Sequence, residues 1–149
     1  MKVETTRFGV VEIDEASLVS LPGGLLGFED YRQYCLIQHR PTAKFKWLQS
    51  IEEPSLAFVV VDPSEHFEDY EIEIGDSDIQ KIQLCCAEDA IVLVIVSIRD
   101  GGKSISANLA APIVVNSKNL TAAQIVLQDE RYETRHPLSA AQARHKAAA

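Results

Sequence analysis

The side chains in this sequence most able to act together are carboxylates. Between Lys46 and Lys81 stand ten of them, Glu52, Glu53, Asp62, Glu65, Glu68, Asp69, Glu71, Glu73, Asp76 and Asp78, with no Lys or Arg among them. The other twelve acids face 14 basic residues, so this one stretch accounts for the formal net charge of -8. Paired carboxylates can serve as acid and base, but one of the pair then needs an apolar pocket to raise its pKa. Glu52 with Glu53, and Glu68 with Asp69, sit among charged neighbours that predict exposure instead. The chemistry expected here is electrostatic. A concentrated negative surface repels nucleic acid phosphates and anionic lipid headgroups and speeds encounter with basic proteins. A solvated face that only keeps the protein soluble would have the same composition.

The remaining reactive groups form no catalytic or metal-binding pattern. Cys35, Cys85 and Cys86 are odd in number, and the adjacent pair is poorly spaced for an unstrained disulfide, as expected of a reducing compartment. The three thiols are expected to pack as small, buried or half-buried apolar groups. His39, His66, His136 and His145 are scattered without ligand spacing, and no CxxC pair occurs. There is no GxSxG, HExxH or GxxxxGK[ST]. The glycine-rich LPGGLLG run at 21–27 lacks the lysine and following helix of a phosphate loop, and a bend or bulge explains it better. Neither an enzyme nor a bound cofactor is expected.

The elements that must position the acids read as short strands. Runs rich in β-branched and aromatic residues, bounded by Gly, Pro, Asp or Asn, fall at 3–8, 10–13, 18–21, 34–38, 45–49, 56–61, 70–74, 91–98, 103–109, 113–115 and 124–127. Tyr70-Glu71-Ile72-Glu73-Ile74 alternates strictly, placing Glu71 and Glu73 on one wet face. Ile91 to Val96 is wholly apolar, as in a strand buried on both sides, and leads into Arg99-Asp100-Gly101-Gly102-Lys103, a tight hairpin signal. One short helix is predicted near residues 76–84, with Asp76, Ser77 and Asp78 to cap its start and Ile79, Ile82 and Leu84 inside. The dipole alone explains acid at that helix start.

The fold class expected is therefore all-β: a small β-barrel-like domain of about ten short, mostly antiparallel strands with one short helix. A chain of 149 residues with 46% hydrophobic residues suffices for one such core. Residues 1–138 are read as a single domain, and the Ala-rich, basic residues 139–149 as a frayed or disordered tail. The first residues, MKVETTRFGVVEID, lack the apolar core of a signal peptide, and no apolar run approaches the ~18 residues of a membrane span. A cytoplasmic location is expected.

Particular residues say more than composition. LPGGLLGFE (21–29), WLQS (47–50), PSLAFVVVDP (54–63), SANLAAPIVVN (106–116) and QIVL (124–127) occur in order, followed by Tyr132 and Arg135-His136-Pro137-Leu138. Together they closely resemble the flagellar assembly factor FliW family from about Val3 to Leu138. Ser97, where threonine is usual, and Ala110, where leucine is expected, are small departures; residues after Leu138 suggest no counterpart. The resemblance implies a cytoplasmic, β-barrel-like protein with no catalytic activity. It also implies two partners: flagellin, and the translational repressor CsrA (carbon storage regulator), whose RNA binding the family antagonises. Flagellin would capture the factor as it accumulates, release CsrA and shut its own synthesis down.

The residue chemistry is compatible with these partners. An RNA-binding repressor must present basic surface, which an acidic protein can meet, whereas flagellin's apolar terminal segments need a groove or apolar patch. Acids interleaved with aromatics are the candidates: Asp62, Glu65, Phe67, Glu68, Asp69, Glu71 and Glu73, with Trp47 and Gln49 as possible groove-lining residues. Core packing alone would account for Phe67 and Tyr70, so Glu71 and Glu73 are preferred. No direct nucleic acid or membrane contact is expected. The alternatives are a nucleic-acid-binding barrel, which would need basic residues among exposed aromatics, and a small-molecule-binding barrel.

Overall fold

The computed structural model describes residues 1–38, 45–67, 69–99, 101 and 104–138. The strands among them are β1 (Lys2–Thr5), β2 (Gly9–Glu12), β3 (Val19–Ser20), β4 (Gln33–Ile37), β5 (Phe45–Ser50), β6 (Ala57–Val61), β7 (Ala90–Arg99), β8 (Ser104–Ala107), β9 (Ile113–Asn116), β10 (Ala122–Gln124) and β11 (His136–Pro137), and the α-helix is α1 (Asp76–Ile82). Nine strands form one antiparallel sheet in the order β10-β9-β7-β6-β5-β4-β3, with β8 branching from β7 and carrying β11. The two ends of that order meet: Ser20 bridges to Thr121, and its N–H donates to the Leu120 carbonyl at 2.9 Å. The sheet is thereby curled into the expected barrel-like form. The small β1–β2 hairpin is tied to it by a bond from the Thr6 amide to Pro54.

The long strand β7 organises the rest by changing partners along its length. Ala90–Leu93 pairs with β9, Val94–Val96 with β6, and Val96–Arg99 with β8. Strand alternation then builds two cores back to back. Val60, Leu93, Ile113 and Val115 point inward with Val19, Tyr34, Leu48 and Ala122, so that every strand along the main path contributes to one cluster. Val61, Val94, Val96, Ala107 and Leu109 form a second cluster on the other face. Burial on both faces explains the unbroken apolar runs of β6 and β7, and each such side chain is worth ~1.5–3 kcal/mol. The ends of β7 depart from this, since Ile91 and Ile98 are exposed.

A third cluster of Ile82, Val114 and Ile125 lies under α1. Here two expectations need correction. The helix is capped by Gly75 without a side-chain bond, so Asp76 and Asp78 lie in its first turn and Ser77 does not cap it. Residues 70–74 do not form a ladder strand, although they keep the alternating exposure. Ile72 and Ile74 are instead laid against the Ile82 cluster, and that packing satisfies the apolar face without a pairing partner. The 124–127 reading is displaced as well, since the paired residues are Ala122–Gln124, and β11 was not expected.

The turns follow their glycines. Gly24 has φ +66°, and a Cβ there would stand 2.5 Å from the Glu29 Cα, so the bend after the buried Leu21 admits no other residue. Arg99 pairs with Ser104 across the β7–β8 hairpin, where Gly101 takes φ +66°; Asp100, Gly102 and Lys103 lie outside the described residues, as does the 139–149 tail.

Candidate functional site

The ten-carboxylate stretch is divided by the fold. Glu52 and Glu53 occupy the β5–β6 turn at one end of β6, whereas Asp62 follows β6 at its other end. Glu52 has a local structural task, accepting the Arg32 and Gln33 amides at 2.6 and 2.8 Å. The acids from Asp62 onward follow β6, and Glu71, Glu73 and Asp78 among them border a common groove. Asp62 is exposed and caps a 3-10 turn, Pro63–Glu65, through Ser64. Glu65 is half-buried, Asp69, Glu71 and Glu73 are exposed, and Glu68 lies outside the described residues.

Two tyrosines hold the segment that carries these acids. The Tyr70 hydroxyl donates to the Leu109 carbonyl at 2.7 Å, and burial next to Tyr132 pushes its pKa well up, keeping it a neutral donor. The Tyr132 hydroxyl accepts the Glu71 amide at 3.0 Å and donates to the Asp69 carbonyl at 3.3 Å. The two rings meet edge to face with centroids 4.7 Å apart. Beyond this clamp, residues 71–75 and 125–129 border a groove of about 600 Å³. Arg131, the one cation among its described lining residues, is bound to Asp129 through Nε and Nη2, and the pairing holds the Asp129 carboxyl below its ordinary range. On the other side of the 70–74 segment lies a groove of about 450 Å³ lined chiefly by Ile74, Ile79, Leu84, Ala90 and Val92.

Several predicted positions make structural contacts within the fold. Phe67 packs on the second core and meets His136 edge to face at 5.2 Å. Trp47 is half-buried under the β1–β2 turn, with the Arg7 guanidinium 4.2 Å above its ring and Phe8 against its edge. Gln49 lines no surface groove. It is 0% exposed, and its Nε2 donates to the carbonyls of Ser50, Pro54 and Leu56, closing the β5–β6 turn. Of the thiols, only Cys35 is buried. Cys85 and Cys86 are exposed, and the bond from Cys86 Sγ to Asp89 at 3.1 Å pushes that thiol's pKa up and makes it a poor nucleophile.

Sequence reasoning missed Asn116 and the Tyr132 clamp. Asn116 is buried, and its Nδ2 donates to the Ile82 and Gln83 carbonyls at 2.9 and 3.1 Å, closing the C-terminus of α1 from β9. Asn108 accepts the Ala111 amide at 3.1 Å and so closes the turn before β9. Among the described residues no His, Cys, Asp and Glu group is arranged to hold a metal ion, and no helix is long and apolar enough to cross a membrane.

Comparison with known proteins places this arrangement. The family model described as FliW protein matches residues 2–138. The flagellar assembly factor FliW of Geobacter sulfurreducens is 40% identical over 147 residues, covering 99% of this chain and 92% of that protein, so residues after Leu138 do have a counterpart there. That of Syntrophus aciditrophicus is 39% identical over 138 residues, covering 93% and 87%. A crystal structure of the flagellar assembly factor FliW superposes with a TM-score of 0.86 at 33% identity, covering 93% of this chain and 97% of the other. The sheet order, the motifs along it and these matches agree: the chain belongs to the FliW family.

Proposed function

We propose that this chain is a non-enzymatic, cytoplasmic flagellar assembly factor that binds CsrA and antagonises its RNA binding, and that binds flagellin in exchange. Within the family, the observation that carries this reading is the exposed acid of Asp62, Asp69, Glu71 and Glu73. None of the four forms an ion pair among the described residues. Such a surface is complementary to a protein that must present positive charge to RNA phosphates. Once bound nearby, its negative potential also weakens RNA affinity without occupying the RNA site. The apolar groove beside α1 offers flagellin the different surface its terminal segments require.

The test is a mobility-shift assay on a CsrA–RNA complex. Adding the protein should release RNA, and adding flagellin should restore the complex. RNA retention at saturating protein would contradict the antagonist role.

A further inference from the structure

Residues 70–74 have the alternating exposure of a strand, yet no described residue forms a ladder with them. Apart from the Glu71 amide, taken by Tyr132, no backbone N–H or C=O from Glu71 to Ile74 forms a hydrogen bond with the described residues. The opposite bank of the groove is similar. Ile125 and Leu127 donate to the carbonyls of Pro112 and Ala110 at 2.9 and 2.8 Å, and exposure alternates through this stretch. Successive peptide groups of an extended chain point to opposite edges. Val126 and Gln128 therefore turn theirs the other way, where they are unpaired among the described residues. By the same alternation, Glu73 presents its peptide groups on the edge from which the Glu71 amide reaches Tyr132. Both banks of the groove thus carry peptide groups that are unpaired among the described residues, and unpaired edges of this kind are templates for an added chain.

Charge specifies the occupant. Among the described residues, Glu71, Glu73, Asp78 and Asp129 border the groove against Arg131 alone, which Asp129 already holds. Glu71 and Glu73 share one exposed face, two residues apart, matching the spacing of same-face side chains on a neighbouring strand. Val126, 55% exposed, adds an apolar contact.

We propose that this groove is a docking slot for one extended segment of the basic partner. The segment enters as an added strand between residues 71–75 and 125–129 and sets Lys or Arg, at alternate positions, against Glu71 and Glu73. Its backbone supplies the bonding and its basic side chains the selectivity. The slot deepens the proposed function and rests on its premise that the partner is basic.

Amide exchange in the intact chain tests it, with CsrA and with a blocked Val-Lys-Val-Lys-Val peptide at millimolar concentration. Exchange at Glu73, Val126 and Gln128 should slow with both, and not with Val-Glu-Val-Glu-Val or an N-methylated Val-Lys peptide. Glu73→Pro removes an N–H that no described residue bonds and should bind about fivefold to tenfold more weakly than Glu73→Gln. Equal binding by the two variants, or no protection of the three amides by the Val-Lys peptide, would overturn the slot. CsrA bound with those amides unprotected would overturn it while leaving the proposed function intact. Peptide protection without any CsrA binding would uphold the slot and remove CsrA as its partner.

Discussion

The Tyr132 hydroxyl bridges the peptide groups on either side of Tyr70, 3.0 Å from the Glu71 nitrogen and 3.3 Å from the Asp69 carbonyl oxygen. A residue near the end of the domain thereby fixes the acids that follow β6. Tyr132→Phe keeps the ring against Tyr70 but removes both bonds. It should cost about 1 kcal/mol of stability and speed amide exchange at Glu71. Unchanged exchange there would mean that ring packing alone holds the segment.

Charge reversal at Glu71 and Glu73 should separate the two proposed partners. The double Lys variant should weaken CsrA binding roughly tenfold at low salt, with a flatter salt dependence, and leave flagellin binding nearly unchanged. Equal loss on both partners, or loss on neither, would contradict this division, and titrations of each partner decide it.

Two buried amides should matter for stability alone. Gln49→Ala and Asn116→Ala remove buried side-chain donors that tie the β5–β6 turn and the α1 C-terminus, although the Pro54, Leu56 and Ile82 carbonyls keep bonds from Thr6, Ser50 and Asn119, at a cost of roughly 1–3 kcal/mol each. Denaturant melts measure the loss. Partner affinity of the folded fraction should not change.

Tyr34 should behave in the opposite way. It is 0% exposed, its hydroxyl finds no hydrogen-bond partner among the described residues, and burial with Glu52 nearby pushes its pKa up to about 12. The folded state holds the proton more tightly than an unfolded chain titrating near 10. This group's contribution is complete below pH ~10 and falls as pH rises toward about 12. Tyr34→Phe should be neutral or stabilising at pH 7 and should lessen the alkaline loss of stability. Marked destabilisation at pH 7 would reveal a bond that the hydroxyl makes.

Much of the fold was legible because strand burial writes itself in period two. The apolar runs of β6 and β7 mark strands covered on both faces, and the glycines of the 21–27 bend and of the β7–β8 hairpin mark real turns. The 70–74 segment shows where that signal ends. Its pattern reports which side chains go inward, and Ile72 and Ile74 do, but a pattern carries no information about whether a neighbour supplies the ladder. Charge counting had a similar limit, since Glu52 and Glu53 are adjacent to Asp62 in composition and at the opposite end of β6 in space. Gln49 and Asn116 were unreadable as core residues, because a buried amide is recognised only by the carbonyls that long-range folding brings to it.

The most direct test of the central claim is calorimetric titration of this protein with CsrA at low and physiological salt, followed by flagellin as competitor. Saturable binding that weakens with salt and is displaced by flagellin is the predicted result. Absence of binding at either salt would contradict the CsrA role and leave flagellin as the partner to be explained.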